Sequence, residues 1–441
     1  MRIFKRLSIG ICAIVVLGSA LPVVASEPAA LKAAFKGHDR FYLKNGDRVV
    51  FYGDSITDQR KYTTYIETYC VTRFPNDHFT FVHSGWGGDR VTGGGGGPIA
   101  LRLKRDVIVY KPTVVTICLG MNDGSYRAFD KGIFDTYING YRSIIETLKK
   151  ELPGVRLTLL TAPAFDDVTR TPNFPGGYND VLVQYGKAVS NLAKEYKLTL
   201  ADTNAPLVET LEKAKVIDPE LAAKIIPDRV HPDNGGHMVM AAAVLRAWKA
   251  PSEVAEIELE PSQRRIVRSV NSRVAKLTGD ERDFTFTFKD RVLPWPLPRE
   301  AKNIDMLLAL EVTQADKEFN QFRLKVVGLP AGKYQIKEEG NVIFETDSIA
   351  LETGLNLASI PALLENVQAR YVLESTNKHN ELHFKKWRTI QVPAEKSKDG
   401  LTEDLKKQME SLDSQDEDMV KQQLSFVHPS ERKIEIVKTV Q

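Results

Sequence analysis

The sequence is poor in cysteine, which limits how the chain can be stabilised. Its 441 residues include three cysteines, Cys12, Cys70 and Cys118. Cys12 lies in an apolar N-terminal stretch, and the other two are too few for a disulfide framework. Cys118 lies in the apolar run VVTICLG, which favours a buried small side chain. A Cys70–Cys118 disulfide is the alternative in an oxidising compartment.

An excess of charge is also absent once the N-terminus is set aside. Residues 1–25 carry Arg2, Lys5 and Arg6 and no acidic side chain, and the rest of the chain has 57 Lys+Arg against 57 Asp+Glu. A net charge of zero gives no electrostatic reason to expect nucleic acid or an anionic membrane as a partner. We therefore expect neither partner.

The N-terminal residues have the pattern of a secretory signal peptide. A basic start, MRIFKR, precedes the apolar stretch LSIGICAIVVLGSALP, and VVAS offers small residues for cleavage after Ala25. No cysteine follows where a lipoprotein requires one, and no later run is apolar enough to span a bilayer. We predict that residues 1–25 are a signal peptide and that the protein is periplasmic or secreted, without stable membrane insertion after cleavage. An uncleaved N-terminal anchor is the alternative.

Residues 40–252 alternate short apolar runs with longer amphipathic stretches. The runs are RVVFYG, FTFVHSG, TVVTICLG, RLTLLTAP and LTLADT. Between the third and fourth runs, residues 132–152 repeat large apolar side chains at helical spacing. This alternation predicts an α/β domain with a parallel sheet covered by helices on both faces. Sheets of this kind bind ligands at the carboxyl ends of their strands.

After about Arg264 the pattern becomes that of a smaller β-rich module. DFTFTFKD alternates with a period of two, and residues 322–346 predict strands joined by glycine-containing turns. A helical pattern follows over residues 360–375 and continues towards Trp387. We predict an accessory module over residues 264–395. The highly polar residues 396–441 are predicted to be a tail, either a solvated helix or disordered.

Chemically useful residues follow the apolar runs. GDSIT contains Ser55, GGD contains Gly88, GMND contains Asn122, and the late segment DRVH contains Asp228 and His231. A serine hydroxyl is a weak nucleophile and needs an adjacent base, which His231 could be. A carboxylate such as Asp228 must hold the imidazole in the correct tautomer. The backbone N–H groups of Ser55 and Gly88 and the amide of Asn122 could bind an oxyanion.

These four motifs, in this order and at these separations, resemble the SGNH or GDSL hydrolase family. The resemblance covers about residues 45–250 and implies a flavodoxin-like three-layer α/β/α sandwich, with no cofactor and no metal ion. It implies that Ser55 is the nucleophile, His231 the general base and then acid, and Asp228 the residue that orients His231. It also implies an oxyanion hole formed by Ser55, Gly88 and Asn122.

Each of these residues also has a more ordinary explanation. Ser55 alone would more often be a helix N-cap, and Asn122 could belong to a simple turn. Asp228 and His231 could be two ligands of a metal site, although such a site needs further ligands. The four motifs together favour the catalytic interpretation. One departure from the family pattern is His83, where many relatives have asparagine ahead of the glycines.

Several other segments could border the site. GGGGG at residues 93–97 lacks the Gly-Lys-Ser/Thr of a phosphate loop, and we interpret it as a loop near the site. The long Pro/Gly-rich segment 162–178 is predicted to form a substrate rim, with a plain solvent loop as the alternative. Trp86 and Arg90 could contact substrate or serve packing and ion pairing. No role is assigned to three residues distant along the chain: His379, His383 and Trp387.

Together these features predict an exported serine esterase that hydrolyses short-chain carboxylic esters through an acyl-enzyme. O-acetyl groups on a carbohydrate or polysaccharide are the leading substrate, on family tendency and compartment, since no sugar-binding motif is visible. A lipase, lysophospholipase or thioesterase of the same family is one alternative. A non-catalytic glycan-binding protein is another, and in a third the C-terminal module acts as the main carbohydrate or partner adapter. The sequence does not define the oligomeric state.

Overall fold

The five apolar runs form one parallel sheet. In the computed structural model, which describes residues 40–439, the strands up to residue 201 are β1 (Arg48–Gly53), β2 (Thr80–Gly85), β3 (Gly93–Gly94), β4 (Gly97–Pro98), β5 (Val114–Cys118), β6 (Arg156–Leu160) and β7 (Thr199–Ala201). The sheet has the order β2-β1-β5-β6-β7, and every neighbouring pair is parallel. All residues of β5 are buried, and since alternate side chains point to opposite faces, both faces are covered.

Eight α-helices among the described residues up to 247 provide that cover. They are α1 (Ser55–Asp58), α2 (Lys61–Arg73), α3 (Ile99–Asp106), α4 (Lys131–Glu151), α5 (Gly177–Tyr196), α6 (Ala205–Ile217), α7 (Pro219–Ala222) and α8 (Asn234–Ala247). In α4 the buried side chains Tyr137, Tyr141, Ile145 and Leu148 recur every three or four residues, as an amphipathic helix requires. Each such side chain contributes about 1.5–3 kcal/mol on burial. These elements confirm the predicted α/β class.

A β-rich region follows with its own core. Its strands are β8 (Glu253–Glu260), β9 (Arg265–Val270), β10 (Ser272–Gly279), β11 (Asp283–Asp290), β12 (Gln321–Val326), β13 (Lys333–Glu338), β14 (Asn341–Asp347), β15 (Leu355–Asn356) and β16 (Arg432–Lys438). They form sheets of order β15-β12-β8-β9 and β10-β11-β16-β13-β14. Neighbours are antiparallel except β8 and β12. Phe284, Phe286 and Phe288 are buried in the shared core, as the period of two in DFTFTFKD predicts.

The C-terminal residues are not a separate tail. The remaining helices are α9 (Ile304–Thr313), α10 (Ala315–Phe319), α11 (Ser348–Thr353), α12 (Leu364–Phe384), α13 (Val392–Lys396) and α14 (Glu403–Ser425). A π-helical turn, Lys385–Gln391, joins α12 to α13. Strand β16 lies between β11 and β13 with Ile434 and Ile436 buried. The predicted tail over 396–441 is therefore corrected at residues 432–438, where the short alternating run RKIEIVK forms a strand inside the sheet. Residues 403–425 form a mostly exposed helix, as one of the two stated alternatives predicts.

The two cores are not divided at the predicted boundaries. Residues 253–263, left between the predicted domains, contain β8. The segment from Leu293 to Phe319, predicted as part of the accessory module, packs in the core of the α/β domain, as Trp295 and Met306 show. The Trp295 indole N–H donates to the carbonyl oxygen of Tyr65 in α2 at 2.8 Å. The described residues consequently form one compact unit.

The fully buried Glu67 of α2 joins the C-terminal helices to the α/β domain. Its Oε1 lies 2.6 Å from Nε2 of His379 and accepts from the amide of Gln423 at 3.1 Å. Its Oε2 lies 3.0 Å from Nε2 of His83. The structure thus gives His83, the departure from the family pattern, a buried partner in Glu67. His379, to which we assigned no role, connects α12 with α2 in this polar cluster.

The charges of this cluster follow from burial and pairing. Burial disfavours the charged form of His379, but attraction to Glu67 outweighs it, with help from Asp416 at 3.3 Å, and raises the pKa of His379 to about 10. Burial likewise disfavours the charged form of Glu67, but the two histidines outweigh it and lower the pKa of Glu67. Burial lowers the pKa of His83. At neutral pH the cluster therefore holds a Glu67–His379 ion pair beside a neutral His83.

The Glu67–His379 pair should make stability depend on pH. Because folding raises the pKa of His379 from 6.5 to about 10, its contribution is complete below pH 6.5 and is lost as the pH rises towards 10. The lowered pKa of Glu67 gives a contribution that is complete above its ordinary value of 4.5 and is lost as the pH falls. We expect His379→Gln to cost about 3–5 kcal/mol near pH 6 and much less near pH 10, measured by urea unfolding.

The matched control is Lys131→Ala, which removes an exposed ion pair with Asp135. It should cost less than about 1 kcal/mol at either pH. A difference between wild type and His379→Gln that stays constant from pH 6 to pH 10 would contradict the ion pair.

Candidate active site

Ser55 is the first residue of the helix that follows the first buried strand. Strand β1 ends at Gly53, and Oδ1 of Asp54 accepts a hydrogen bond from the backbone N–H of Ile56 at 3.0 Å. Asp54 is therefore the N-cap of α1, which rules out the alternative explanation of Ser55 as the helix cap. The distinction matters chemically, since a capping hydroxyl would be engaged with the backbone. The partly exposed Ser55 hydroxyl is instead directed to another partner.

That partner is His231, which in turn contacts Asp228. Ser55 Oγ lies 2.8 Å from His231 Nε2, and His231 Nδ1 lies 2.6 Å from Asp228 Oδ2. The hydrogen-bond network assigns the proton of neutral His231 to Nδ1, where the carboxylate accepts it, and leaves Nε2 to accept from the Ser55 hydroxyl. The structure thus brings Ser55 into contact with a pair of residues that lies far along the chain. Asp228 and His231 follow Ser55 by 173 and 176 positions.

Asp228 is held in place by the same short loop. Its Oδ1 accepts from the backbone N–H of His231 at 2.7 Å and of Val230 at 3.0 Å. Partial burial raises the pKa of Asp228, but the hydrogen bonds from His231 and Val230 outweigh it, so the pKa is lowered overall. Asp228 is therefore ionised at neutral pH. The side chains of His231 and Asp228 are 31% and 55% exposed, and so the site opens to solvent.

Gly88 and Asn122 meet at the same edge of the sheet. The Asn122 amide donates to the carbonyl oxygen of Asp89, the neighbour of Gly88, at 3.1 Å. The Tyr126 hydroxyl donates to Asn122 Oδ1 at 2.9 Å and fixes the orientation of the amide. Gly88 is exposed and has φ +77°, a left-handed conformation that favours glycine. The GMND motif therefore directly supports the loop of residues 86–90, which carries Gly88 and is called the glycine loop below.

Two buried aspartates, Asp54 and Asp123, stabilise the segments that carry Ser55 and Gly88. Asp123 accepts from the backbone N–H of Val91 at 2.9 Å, which ties the loop after Gly88 to the end of β5. Burial raises the pKa of Asp123 to about 7 and the pKa of Asp54 to about 8. Both carboxyls are thus held in place by backbone hydrogen bonds at a cost in desolvation. Neither contacts Ser55 or His231 by a hydrogen bond that would give it a part in proton transfer.

The long segment 162–178 borders the loop that carries His231. The backbone N–H of Asp166 donates to the carbonyl oxygen of Arg229 at 2.9 Å. The guanidinium of Arg229 donates to Asp167 at 2.8 Å, and Arg229 has a left-handed φ of 73°. Sequence reasoning missed Arg229, whose only signal is its place between the aspartate and histidine of DRVH. It ties the predicted substrate rim to the loop of the triad.

Trp86 packs against the C-terminal helices. The centroid of its ring lies 3.5 Å from the guanidinium carbon of Arg388. The ring also contacts Trp387 in an edge-to-face arrangement, with centroids 5.6 Å apart. Trp387 and His383, to which we assigned no role, therefore lie beside the α/β domain, where His383 stacks on Trp387. Their distance along the chain hid this contact. Arg90 is exposed.

Other expectations have simpler outcomes. Cys70 and Cys118 are buried free thiols, so the disulfide alternative is wrong, and burial raises the pKa of both. Within residues 40–439, no three or more His, Cys, Asp or Glu side chains are arranged to hold a metal ion. No helix in this part of the chain is long and apolar enough to cross a membrane. The predicted signal peptide lies outside the described residues.

Comparison with known proteins agrees with the motifs. The sequence profile of the GDSL-like lipase/acylhydrolase family matches residues 51–239. An acetylxylan esterase of Geobacillus stearothermophilus is 28% identical over 223 residues, 46% of this chain and 94% of that protein. A solved catalytic mutant of Axe2, an acetylxylan esterase of the same organism, is 27% identical with a TM-score of 0.39 and covers 47% of this chain and 96% of its own.

A further solved structure is similar over nearly the whole molecule. BT4096, a gut microbial diltiazem-metabolizing enzyme, is 25% identical with a TM-score of 0.78, over 90% of this chain and 98% of that chain. The similarity therefore includes the C-terminal region. The fold and the family match agree on a parallel α/β domain of the GDSL-like hydrolase type over residues 51–239. The chain carries a domain of the GDSL-like lipase/acylhydrolase family, together with a β-rich C-terminal region beyond it.

The geometry of Gly88 makes a testable prediction. We expect Gly88→Ala to cost about 1–2 kcal/mol in unfolding free energy, because a side chain disfavours the left-handed conformation, and to lower hydrolysis of a short-chain aryl ester at least tenfold. Gly46→Ala is a matched control, since Gly46 has φ +88° and, like Gly88, open space where a Cβ would lie.

Gly46→Ala should lose similar stability and keep its activity. Equal activity in the two variants would show that the conformation of Gly88 does not matter to the reaction. Chemical unfolding and initial rates measure the two quantities.

Proposed function

We propose that the protein is an esterase that hydrolyses short-chain carboxylic esters through an acyl-enzyme on Ser55. The observation that carries this proposal is the hydrogen-bonded chain from Ser55 Oγ through His231 to Asp228. Serine, histidine and carboxylate in this order are the arrangement that activates a serine hydroxyl for acyl transfer. The family of the domain supports the same class of reaction.

In the proposed first step, Ser55 Oγ attacks the ester carbonyl while His231 Nε2 takes the hydroxyl proton. Asp228 keeps the proton on Nδ1 and stabilises the imidazolium without becoming protonated. His231 then returns the proton to the alcohol oxygen as the bond to the acyl carbon breaks. In the second step a water molecule attacks the acyl-enzyme while His231 Nε2 takes its proton. His231 then returns the proton to Ser55 Oγ as the acid leaves.

Three donors would stabilise the oxyanion of the tetrahedral intermediate. They are the backbone N–H groups of Ser55 and Gly88 and the side-chain amide of Asn122. The Asn122 amide has two N–H bonds, of which one is used by the carbonyl of Asp89 at 3.1 Å. The other is available to substrate, and the hydrogen bond from Tyr126 holds the amide in this orientation. Donors fixed before the reaction need no reorganisation during it.

For the substrate we propose O-acetyl groups on a carbohydrate or polysaccharide. The half-exposed triad suits a small acyl group on a bulky alcohol. Tyr126, 41% exposed beside Asn122, presents an aromatic surface of the kind that packs on a sugar ring. The acetylxylan esterase relative supports this choice. We also propose that residues 1–25 direct the protein out of the cytoplasm. Polysaccharides of this kind are found outside it.

A second candidate substrate class is a small-molecule ester of drug-like size. It is favoured by the similarity of nearly the whole chain, including the C-terminal region, to a diltiazem-metabolizing enzyme. Both candidates use the same site and the same acyl-enzyme, and they differ in the alcohol that leaves.

The triad can be tested by the non-additivity of its members. We expect Ser55→Ala and His231→Ala each to lower kcat on a short-chain aryl ester by about 10⁴–10⁶-fold, and the double variant to be no slower than either single one. Groups that act as one unit lose their whole effect with the first removal. Circular dichroism would confirm that each variant is folded.

A suitable control is Ser359→Ala, on the exposed surface of the β-rich region, which should retain wild-type rates. Independent, multiplying losses in the double variant, or a Ser55→Ala variant of full activity, would rule out the proposed mechanism.

The substrate classes can be separated by measuring the acid released, acetate from acetyl esters and octanoate from octanoyl esters. We expect acetyl esters to be hydrolysed at least tenfold faster than octanoyl esters of the same alcohol, because the open site provides little burial for a long chain. Acetylated xylan, acetylated mannan, acetylated pectin and diltiazem would then be compared at equal ester concentration. Preference for octanoyl esters would favour the lipase or thioesterase alternative.

A further inference from the structure

The loop that carries Gly88 is held by residues from the far end of the chain. Arg388 lies in the π-helical turn Lys385–Gln391, well outside the residues that match the family profile. Its Nη1 donates to Asp58 Oδ1 at 3.1 Å and to the carbonyl oxygen of Gly85 at 3.3 Å. Its guanidinium also covers the ring of Trp86 at 3.5 Å.

These contacts connect the two halves of the reacting centre. Asp58 is the last residue of α1, the helix that begins with Ser55. The Asp58 carboxylate also lies beside Gly87, the residue before Gly88, since a Cβ on Gly87 would be 3.9 Å from Asp58 Oδ2. The helix lies directly on the end of β2, since a Cβ on Gly85 would be 2.1 Å from the Asp58 nitrogen. Arg388 therefore completes a bridge from α1 to the residues just before Gly88.

The other side of Gly88 is held by the neighbouring residue of the same turn. Trp387 donates its indole N–H to Asp106 Oδ1 at 2.7 Å. Asp106 pairs with the buried Arg102, whose Nε donates to Asp89 at 2.6 Å. Asp89 directly follows Gly88. The loop is thus supported before and after Gly88 by two consecutive residues of the π-helical turn.

The π-helical turn is followed directly by the short helix α13, which has a proline in its first turn. Pro393 follows the turn and has no N–H to donate to the carbonyl one turn earlier, which disturbs the regular helical hydrogen bonds. A π turn contains an additional residue per turn and often occurs at functional sites. Here it belongs to the segment from which Trp387 and Arg388 both reach the same loop.

We infer that Arg388 is a positioning residue for the oxyanion hole, which it holds in register with Ser55 through Asp58, Gly85 and Trp86. This inference rests on the proposed function, and it gives the C-terminal region a part in the reaction of the α/β domain. A displacement of about 1 Å in a catalytic group can cost up to about 100-fold in rate. Removing Arg388 also takes away the ion-pair partner of the partly buried Asp58 and leaves Arg60 as the other nearby cation.

The test compares Arg388→Ala with a matched variant, Lys386→Ala, in the same turn. Lys386 pairs with Asp413 of α14 and makes no contact with the glycine loop among those described. We expect Arg388→Ala to lower kcat on a short-chain aryl acetate by about 10–100-fold with KM changed less than threefold. Lys386→Ala should keep kcat within twofold. Arg388→Lys should be intermediate, because it keeps the charge and loses the planar stack.

Rescue separates positioning from general loss of structure. Guanidinium chloride at millimolar concentration should restore part of the kcat of Arg388→Ala, whereas sodium chloride at equal ionic strength should not. Neither salt should raise the activity of Lys386→Ala or Gly88→Ala. A wild-type kcat in Arg388→Ala, or a loss confined to KM, would overturn the inference.

Hydrogen–deuterium exchange tests the positioning without reference to catalysis. In the full chain, Arg388→Ala should speed exchange in peptides that contain residues 86–90 and leave peptides of α4 unchanged. Unchanged exchange at residues 86–90 would overturn the inference. If wild type shows no Ser55-dependent hydrolysis, the proposed function fails, and faster exchange in the variant would still show that Arg388 holds the loop.

Discussion

The parallel register of β1 with β2 and β5 is the constraint on which the site depends. It places Gly53, Gly85 and Cys118 side by side at one edge of the sheet, so the motifs that follow each strand meet there. A shift by one residue would turn every buried side chain to the other face. The buried apolar residues of these strands therefore determine the position of Ser55 and of the glycine loop as well as the stability of the domain.

A second constraint is the burial of charge between the domain and its C-terminal helices. Removing charges from water costs several kcal/mol per ion unless each finds a partner. Glu67 and His379 supply that partnership across α2 and α12, and Arg102 does so for Asp89 and Asp106. Such clusters tolerate few alternative arrangements, because a displaced helix would leave a buried charge unpaired. They fix the orientation of the C-terminal helices relative to the glycine loop.

Much of the α/β domain can be predicted because its signals are local. Each of the five apolar runs forms a strand, and the periodic stretch at 132–152 forms α4 over Lys131–Glu151. In the β-rich region, DFTFTFKD forms β11 over the same eight residues. Helix α9 is missed because IDMLLALEVT is apolar on most sides and shows little periodicity. Strand β16 is missed because its partners lie about 100 or more residues earlier in the chain.

The sequence by itself determined the class of the domain and the identity of the motif residues, because strand and helix periodicity and four ordered motifs are readable without knowledge of contacts. Only the tertiary structure decided that Asp54 rather than Ser55 caps α1, that His83 faces Glu67, and that Arg388 reaches the loop before Gly88. Each of these depends on which polar group lies within hydrogen-bonding distance. For Arg388 that distance is set by the packing of segments 330 residues apart, and no local sequence pattern indicates such a partner. Asp54 and His83 contact groups only 2 and 16 residues away, but several polar neighbours could have made those bonds, and the packing selects one.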